Sequence, residues 1–193
     1  MHLPRDLGEW IFMAVLMAAA MAGGMLGVHA LRSHLRGASG PMRPGLLMRA
    51  GSRVVAWLLR LGVPVSLLGP MMLLTVRGRT SGQPRTVPGD VHDLDGRRYL
   101  IATHGVGDWV LNLRAAGEGT LRLGRTRIPF TATELPPTEA GPITRRALGS
   151  LVAASGWRST GVRSNLGVQP GSADPDYVAA AHDHPVFEVR PAT

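Results

Sequence analysis

Cysteine and lysine are missing from this chain of 193 residues, and aromatic side chains make up only 5% of it. Without cysteine the chain has no disulfide, no thiolate nucleophile and no zinc site of the cysteine type. All 21 basic residues are therefore arginine, against 13 Asp and Glu, so the formal net charge is +8. This sign favours anionic partners such as a polyanionic cofactor or an anionic lipid surface.

Several other site types are not expected. Nucleic-acid binding is not predicted, because single-strand binders interleave basic residues with exposed aromatics, and the few aromatics here do not alternate with arginine. No metal is expected, because the pair His182 and His184 lacks a third ligand at suitable spacing. These two residues are interpreted as surface residues, and His92 as a solvent-facing residue of a strand. There is no Gly-x-Ser-x-Gly elbow, and the GRTSG loop lacks the ending of a phosphate-binding P-loop.

The longest apolar run covers residues 11–28, eighteen residues without a polar side chain. This length meets the threshold for a transmembrane helix. A buried or interfacial helix and a cleaved signal peptide are the alternatives. Basic residues follow the run, at Arg32, Arg36, Arg43, Arg49 and Arg53. The positive-inside rule then predicts a membrane-anchored protein whose catalytic domain is cytoplasmic and faces the anionic leaflet.

Three parts are predicted: an N-terminal anchor segment (1–36), a linker (37–44) and one domain (45–193). A helix is predicted over 46–61 and strands from Met71 onward. Asp95-Gly96 and Gly124-Arg125 predict two hairpins. Helices are expected over 108–116 and 144–154, with 156–175 irregular and a last strand over 186–190. Five or six antiparallel strands with interspersed helices indicate a small barrel of the α+β class.

The stretch from Leu73 to Leu113 carries the candidate site. Its loop, GRTSGQPRTVP, combines two guanidinium groups with the hydroxyls of Thr80, Ser81 and Thr86. Such donors suit phosphate or carboxylate oxygens. The segment ATHGVGDWVLNL then ends a strand and opens a helix, with Asp108 interpreted as its N-cap. Trp109 and Asn112 lie three residues apart, so they share one helix face.

The pattern GR-x-SG-x-PR-x-x-P, followed by a strand and W-x-x-NL, resembles the deazaflavin-dependent nitroreductases, a family of quinone reductases that use coenzyme F420. The resemblance extends from Pro44 to Pro191. It implies a split β-barrel, antiparallel and FMN-binding-like. It also implies that the following residues contact the cofactor: Arg79, Thr80, Ser81, Arg85, Thr86, Val87, Pro88, Thr103, His104, Gly105, Trp109 and Asn112.

Trp109 and Tyr177 are the residues that the resemblance implies for the substrate pocket. Thr80 and His104 stand where the family often has lysine, and Val110 replaces an aromatic residue. The implied activity is hydride transfer from reduced F420 to a lipophilic small-molecule acceptor, a quinone or a nitroaromatic-type compound, at the membrane. No catalytic side chain is required, because the cofactor carries the chemistry. The alternatives are a split barrel that binds FMN or haem, and a non-catalytic module that binds a cofactor or lipid.

Overall fold

A computed structural model describes residues 55–61 and 71–192 of the chain. The six strands are β1 (Met71–Arg77), β2 (Pro84–Leu94), β3 (Arg97–Ile101), β4 (Glu118–Leu123), β5 (Thr126–Glu134) and β6 (Val186–Pro191). Four helices lie between these strands in the chain. They are α1 (Asp108–Ala116), after β3, and α2 (Pro137–Ala153), α3 (Trp157–Leu166) and α4 (Asp174–Ala181), between β5 and β6. Residues 55–60 are also helical, within the predicted helix over 46–61.

The predicted membrane span over 11–28, the linker and the domain boundary lie outside the described residues. Within the part of the chain that is described, none of the helices has both the length and the apolar composition needed to cross a membrane.

The six strands form one closed antiparallel barrel in the order β1-β2-β3-β6-β5-β4. Closure comes from β1, which pairs with β2 on one side and with β4 on the other. A closed barrel leaves no unpaired strand edge. The predicted α+β antiparallel barrel is thus confirmed. Both predicted hairpins are confirmed as well, and Asp95 (φ 54°) and Gly96 (φ 75°) have the two positive φ angles that a tight hairpin turn requires.

Two hydrophobic cores lie on the two sides of the sheet. The barrel interior contains Leu74, Leu100, Leu121, Phe130 and Phe187, together with Val110 and Leu113 of α1. The second core lies between the outer face of β3 and β6 and the helices, and it contains Tyr99, Ile101, Leu148, Val162, Tyr177 and Val186. Strand side chains alternate between faces, so Leu100 belongs to one core and its neighbours Tyr99 and Ile101 to the other.

The outer helices are packed at close range. A Cβ added at Gly141 of α2 would lie 2.6 Å from the backbone nitrogen of Val178 in α4. No side chain fits at that distance, so glycine is required where the two helices meet.

The helical region departs most from the prediction. Helix α2 begins at Pro137 rather than at Thr144. Pro137 occupies the first helical position, where the missing N–H is not needed. The stretch predicted to be irregular contains α3 and the start of α4, so that prediction is wrong. The α3 sequence has low helix propensity, but Val162 and Leu166 are buried, which gives the helix its packing energy.

His92 corrects a second expectation, because it is 7% exposed rather than solvent-facing. It lies opposite Tyr99 in the pairing of β2 with β3, on the side covered by the helices. Its Nε2 is buried and has no hydrogen-bond partner among the described residues. Burial lowers the pKa of His92, because the imidazolium would lose its hydration there.

This shift predicts a loss of stability in mild acid. The unfolded chain takes up a proton at His92 near pH 6.5, whereas the folded chain does so only at lower pH. The free energy of unfolding should therefore fall as the pH drops below about 6.5, with a slope of at most about 1.4 kcal/mol per pH unit from this group. Urea unfolding of the parent and His92→Gln across this pH range measures the difference. Equal slopes in both proteins would contradict the assignment.

Candidate functional site

The GRTSG loop connects β1 to β2 at the end of the barrel toward which β3 also runs. Antiparallel pairing requires this arrangement, because β1 and β3 run in the same direction and both pair with β2. Thr80, Ser81 and Arg85 are exposed. The predicted anion-binding donors and the start of α1 therefore share one end of the molecule.

Arg79 joins the loop to α1. Its backbone N–H and its Nη1 both donate to Oδ1 of Asn112, at 3.1 and 2.9 Å. Its Nη2 donates to Oδ1 of Asp108 at 3.1 Å. Asn112 is 6% exposed, so its amide oxygen is a buried acceptor that Arg79 satisfies. In this structure Arg79 and Asn112 are each other's partners, and the predicted contact of each with a cofactor stays a prediction.

Asp108 differs from its predicted role as the N-cap. The helix begins at Asp108, and Gly107 is the N-cap, without a side-chain hydrogen bond to the first-turn amides. The Asp108 carboxylate instead pairs with Arg79, and 70% of that side chain is exposed. This exposed ion pair contributes little stability by itself, so the buried bonds to Asn112 hold the loop.

Arg85 is the second guanidinium of the loop. Its described polar contact is a long bond from Nη2 to Oγ of Ser81, at 3.4 Å. No acidic side chain among the described residues pairs with it. Its charge is therefore directed to solvent beside the hydroxyls of Thr80 and Ser81. Thr86 follows on β2, with its hydroxyl 2.9 Å from that of Thr75.

A cleft of about 60 Å³ opens farther along β2, between β2, the end of β3 and α1, and its first lining residue on β2 is Pro88, three residues after Arg85. Four predicted site residues line it together: Pro88, Thr103, His104 and Trp109. The Trp109 ring packs at a tilt on Phe187, with the ring centroids 6.0 Å apart. The Thr103 hydroxyl lies 3.2 Å from Nδ1 of His104. One wall of the cleft is thus aromatic, and the opposite rim is polar.

Two further predicted residues support the cleft without lining it. Val87 packs against the barrel core. Gly105 has a φ of 80° and closes a tight turn through a bond from its N–H to the Ala102 carbonyl, at 2.8 Å. His184, predicted to be a surface residue, is half-buried and donates from Nδ1 to the same carbonyl at 2.9 Å. The end of β3 is therefore fixed from both sides.

Tyr177 is not brought together with Trp109. It is 2% exposed and belongs to the helix-covered core, whereas Trp109 packs on the barrel core. Burial raises the pKa of its phenol, with a smaller opposing effect of Arg145. Tyr177 lines a different cavity, of about 340 Å³, together with Arg145, Ser150, Pro170 and Ser172.

Sequence reasoning missed several residues that line the cleft. Its walls also contain Leu74 of β1, Gly89 and Asp90 of β2, Leu100 and Ile101 of β3, and Ala102 directly after β3. The PGD segment after Arg85 was the available signal, because it continues the loop pattern toward the barrel. Within the described residues, no three His, Asp or Glu side chains are grouped in a way that could hold a metal ion.

The Arg79–Asn112 contact predicts a matched pair of variants. Asn112→Ala removes an acceptor that serves two N–H groups and should lower the free energy of unfolding by about 1–3 kcal/mol. Asn112→Asp keeps an acceptor oxygen at the Oδ1 position and should retain most of that stability. Urea unfolding measures both, and hydrogen exchange at the Arg79 amide should be faster only in Asn112→Ala. Unchanged exchange in Asn112→Ala would show that the contact does not hold the loop.

Several solved structures resemble parts of this chain. A solved structure of an F420-H2 dependent reductase is 22% identical and aligns over 63% of this chain and 94% of its own, with a TM-score of 0.35. A FAD-binding protein from Mesorhizobium loti is 14% identical over 74% of this chain and 91% of its own, with a TM-score of 0.40. A NimC/NimA family protein from Clostridium acetobutylicum is 13% identical over 70% and 76%, with a TM-score of 0.38.

No curated protein matches the chain. The sequence pattern of one family matches residues 55–169, which is more than half of the chain and includes the loop, the cleft and α1. The chain therefore belongs to the F420H(2)-dependent quinone reductase family, which makes it an oxidoreductase with coenzyme F420 as its cofactor.

Proposed function

We propose that this protein transfers a hydride from reduced F420 to a lipophilic quinone at the membrane, with nitroaromatic-type compounds as side substrates of the same site. The observation that carries the proposal is that β2 connects the Ser81 and Arg85 loop to the cleft beside Trp109, because Arg85 and the cleft residue Pro88 lie three residues apart on this strand. The two places differ in chemistry: the loop is cationic and hydroxyl-rich, and the cleft combines the Trp109 ring with the polar groups of Thr103 and His104.

The donor set fits the anionic part of the cofactor. Arg85 has no acidic partner among the described residues, and the exposed hydroxyls of Thr80 and Ser81 stand beside it. Arginine and hydroxyl donors are well suited to phosphate and carboxylate oxygens. Arg79 contributes differently, because it fixes the loop through Asn112 and Asp108. We assign anion binding to Arg85, Thr80, Ser81 and Thr86, and positioning of the loop to Arg79.

The cleft fits part of a planar ring system. At about 60 Å³ it is smaller than the 300–1,000 Å³ of a typical closed ligand pocket. It can therefore receive a ring edge, and the exposed donors of the loop lie outside it. Bound reduced F420 supplies the hydride. Pro88, Thr103, His104 and Trp109 would orient the reacting face and exclude water from it, which is the contribution that a protein makes in cofactor chemistry.

Trp109 is the residue that we assign to the acceptor side. Its ring lines the cleft and is held by Phe187 from behind, so the exposed face is fixed in position. A fixed aromatic wall suits a flat, apolar quinone ring, since aromatic pairs gain energy beyond the area that they bury. Of the two residues predicted for the substrate pocket, Tyr177 lines the other cavity, so we assign only Trp109 to the wall that contacts the acceptor.

A fluorescence titration tests cofactor binding, and oxidation of reduced F420 by a soluble short-chain quinone tests turnover. Arg85→Ala should weaken F420 binding by about 1.5–3 kcal/mol, the range for a hydrogen bond to a charged group. Because the contact is exposed, affinity of the parent should also fall as salt rises.

Arg97→Ala is the matched control, because Arg97 is also an exposed arginine without a described acidic partner, at the opposite end of the barrel. Its affinity for F420 should equal that of the parent. Equal affinity in Arg85→Ala and the parent would refute the assignment of Arg85. Binding of F420 without any turnover on quinones would refute the proposed reaction.

Membrane anchoring through residues 11–28 is a separate proposal. As a helix the segment would extend about 27 Å at 1.5 Å per residue, close to the ~30 Å hydrocarbon core. The arginines from Arg32 to Arg53 would then place the domain on the cytoplasmic side.

Deleting residues 1–36 should therefore release the protein to the soluble fraction when the membranes are washed with high salt, which screens any electrostatic attraction of the remaining domain to lipid. F420 affinity and turnover of a short-chain quinone should remain, while turnover of a long-chain quinone in liposomes should drop. Retention on membranes after a high-salt wash would place the anchor elsewhere. Loss of F420 binding would show that the segment belongs to the folded domain.

A further inference from the structure

Exposed apolar side chains are gathered at one place on the described surface. Across residues 55–61 and 71–192, the large hydrophobic residues that are exposed are Trp57 (57%), Leu61 (61%) and Leu123 (37%). Trp57 and Leu61 lie in the helical segment 55–61, and Leu123 ends β4. The two elements touch, because the Gly124 N–H donates to the Leu59 carbonyl at 3.0 Å.

The same place is rich in unpaired positive charge. Arg60, Arg125 and Arg127 are exposed there, and none of them has an acidic partner among the described residues. Arg127 lies directly opposite Arg122 in the pairing of β4 with β5. Like charges at opposed positions of a sheet repel each other. An anion that covers this surface would relieve the repulsion.

We propose that this surface, formed by Trp57, Arg60, Leu61, Leu123, Arg125 and Arg127 and called here the hairpin patch, docks on an anionic lipid membrane. Apolar and aromatic residues surrounded by arginine are typical of surfaces that enter the boundary between headgroups and acyl chains. Arginine adds attraction to an anionic leaflet. A protein partner would have to present acidic and apolar groups at matching positions, whereas an anionic lipid surface offers negative charge and an apolar interior at every position.

The connectivity of the chain supports this choice. Strand β1 begins at the end of the barrel where β4 finishes, because the two are antiparallel. The helical segment 55–61 also forms part of the patch, and it is the first described segment after the proposed anchor in the sequence, so the chain from the anchor enters the domain at the hairpin patch. The docking surface rests on the proposed membrane location of the protein. It does not require residues 11–28 to span the membrane, since the patch would bind lipid with or without a spanning helix.

The strand topology determines how the docked domain is oriented on the membrane. The turn at Gly124 lies at the end of the barrel opposite to the Gly78–Gln83 loop, because β1 runs from one end to the other and pairs with β4. A patch seated on lipid would keep the GRTSG loop and Arg85 on the aqueous side. A water-soluble anionic cofactor could then exchange while the domain stays on the membrane.

The absence of cysteine allows a direct test on the full chain. Leu123→Cys introduces a unique thiol in the patch, which takes an environment-sensitive fluorophore. Arg97→Cys places the same label in the β2–β3 turn, which lies at the same end of the barrel but across its diameter in the strand order. The probes are vesicles of phosphatidylcholine alone, or mixed with phosphatidylglycerol, with and without a lipid-borne quencher.

The label at position 123 should shift to the blue and be quenched in the anionic vesicles, and much less in phosphatidylcholine alone. The label at position 97 should not respond. Added to the Leu123→Cys protein, Arg125→Glu should weaken the response by about fivefold for each unit of charge removed, from the ~1 kcal/mol that one basic residue gains near an anionic surface. Arg97→Glu, an equal change of charge, should leave the response unchanged.

Three outcomes would overturn the proposal. The first is an equal response at positions 123 and 97. The second is an equal response to both kinds of vesicle. The third is a label at position 123 that is already shielded without vesicles, which would mean that the chain itself or a second copy covers the patch. F420 oxidation in solution is measured in parallel, so a failure of the proposed reaction is distinguished from a failure of the docking surface.

Discussion

Both halves of the fold depend on strand β3, because its two faces are buried in two different cores. Leu100 points into the barrel, while Tyr99 and Ile101 pack under the helices. A shift of the strand by one residue would exchange these faces and misplace every side chain. The register also fixes where β3 ends, so Ala102, Thr103 and His104 come to the rim of the cleft. The position of the candidate site is therefore a consequence of core packing.

At the site, Arg79 and Arg85 of the same loop differ in the partners that they bind. Arg79 is held by a buried amide oxygen and an exposed carboxylate, whereas Arg85 faces solvent beside hydroxyl groups. A positive group that is already paired stabilises the loop and has less capacity to bind a ligand. An unpaired one retains its attraction for an anion. The same residue type, six positions apart, thus has a structural task in one case and a binding task in the other.

Local signals in the sequence predicted the barrel well, because strands and hairpins are encoded locally. Asp95-Gly96 and Gly124-Arg125 mark turns, and the α1 sequence reads as a helix at the observed residues. Helices α3 and α4 were missed because their stability comes from burial in the helix-covered core, chiefly against α2, rather than from propensity. Acidic residues and Pro175 in the first turn of α4, and the left-handed Gly167 after α3, were the available signals.

The site was less predictable, because its key contacts join distant residues. The family resemblance implied that Arg79 and Asn112 both contact the cofactor, which stays a prediction, and it did not indicate that they bond to each other across 33 residues. No local pattern reports such a pairing. His92 was misjudged for the same reason, since an alternating strand pattern does not show that helices cover the outer face of the sheet.

The topology of the barrel places arginine in two different chemical environments, one at each end. At the end that carries the β1–β2 loop, arginine stands among hydroxyls, a setting that favours phosphate and carboxylate. At the end that carries the β4–β5 turn, arginine stands among Trp57, Leu61 and Leu123, a setting that favours a lipid interface. The six residues of β4 separate these ends by about 20 Å at ~3.4 Å per residue. That distance exceeds the ~8 Å screening length at physiological salt, so each end attracts its own anion independently of the other.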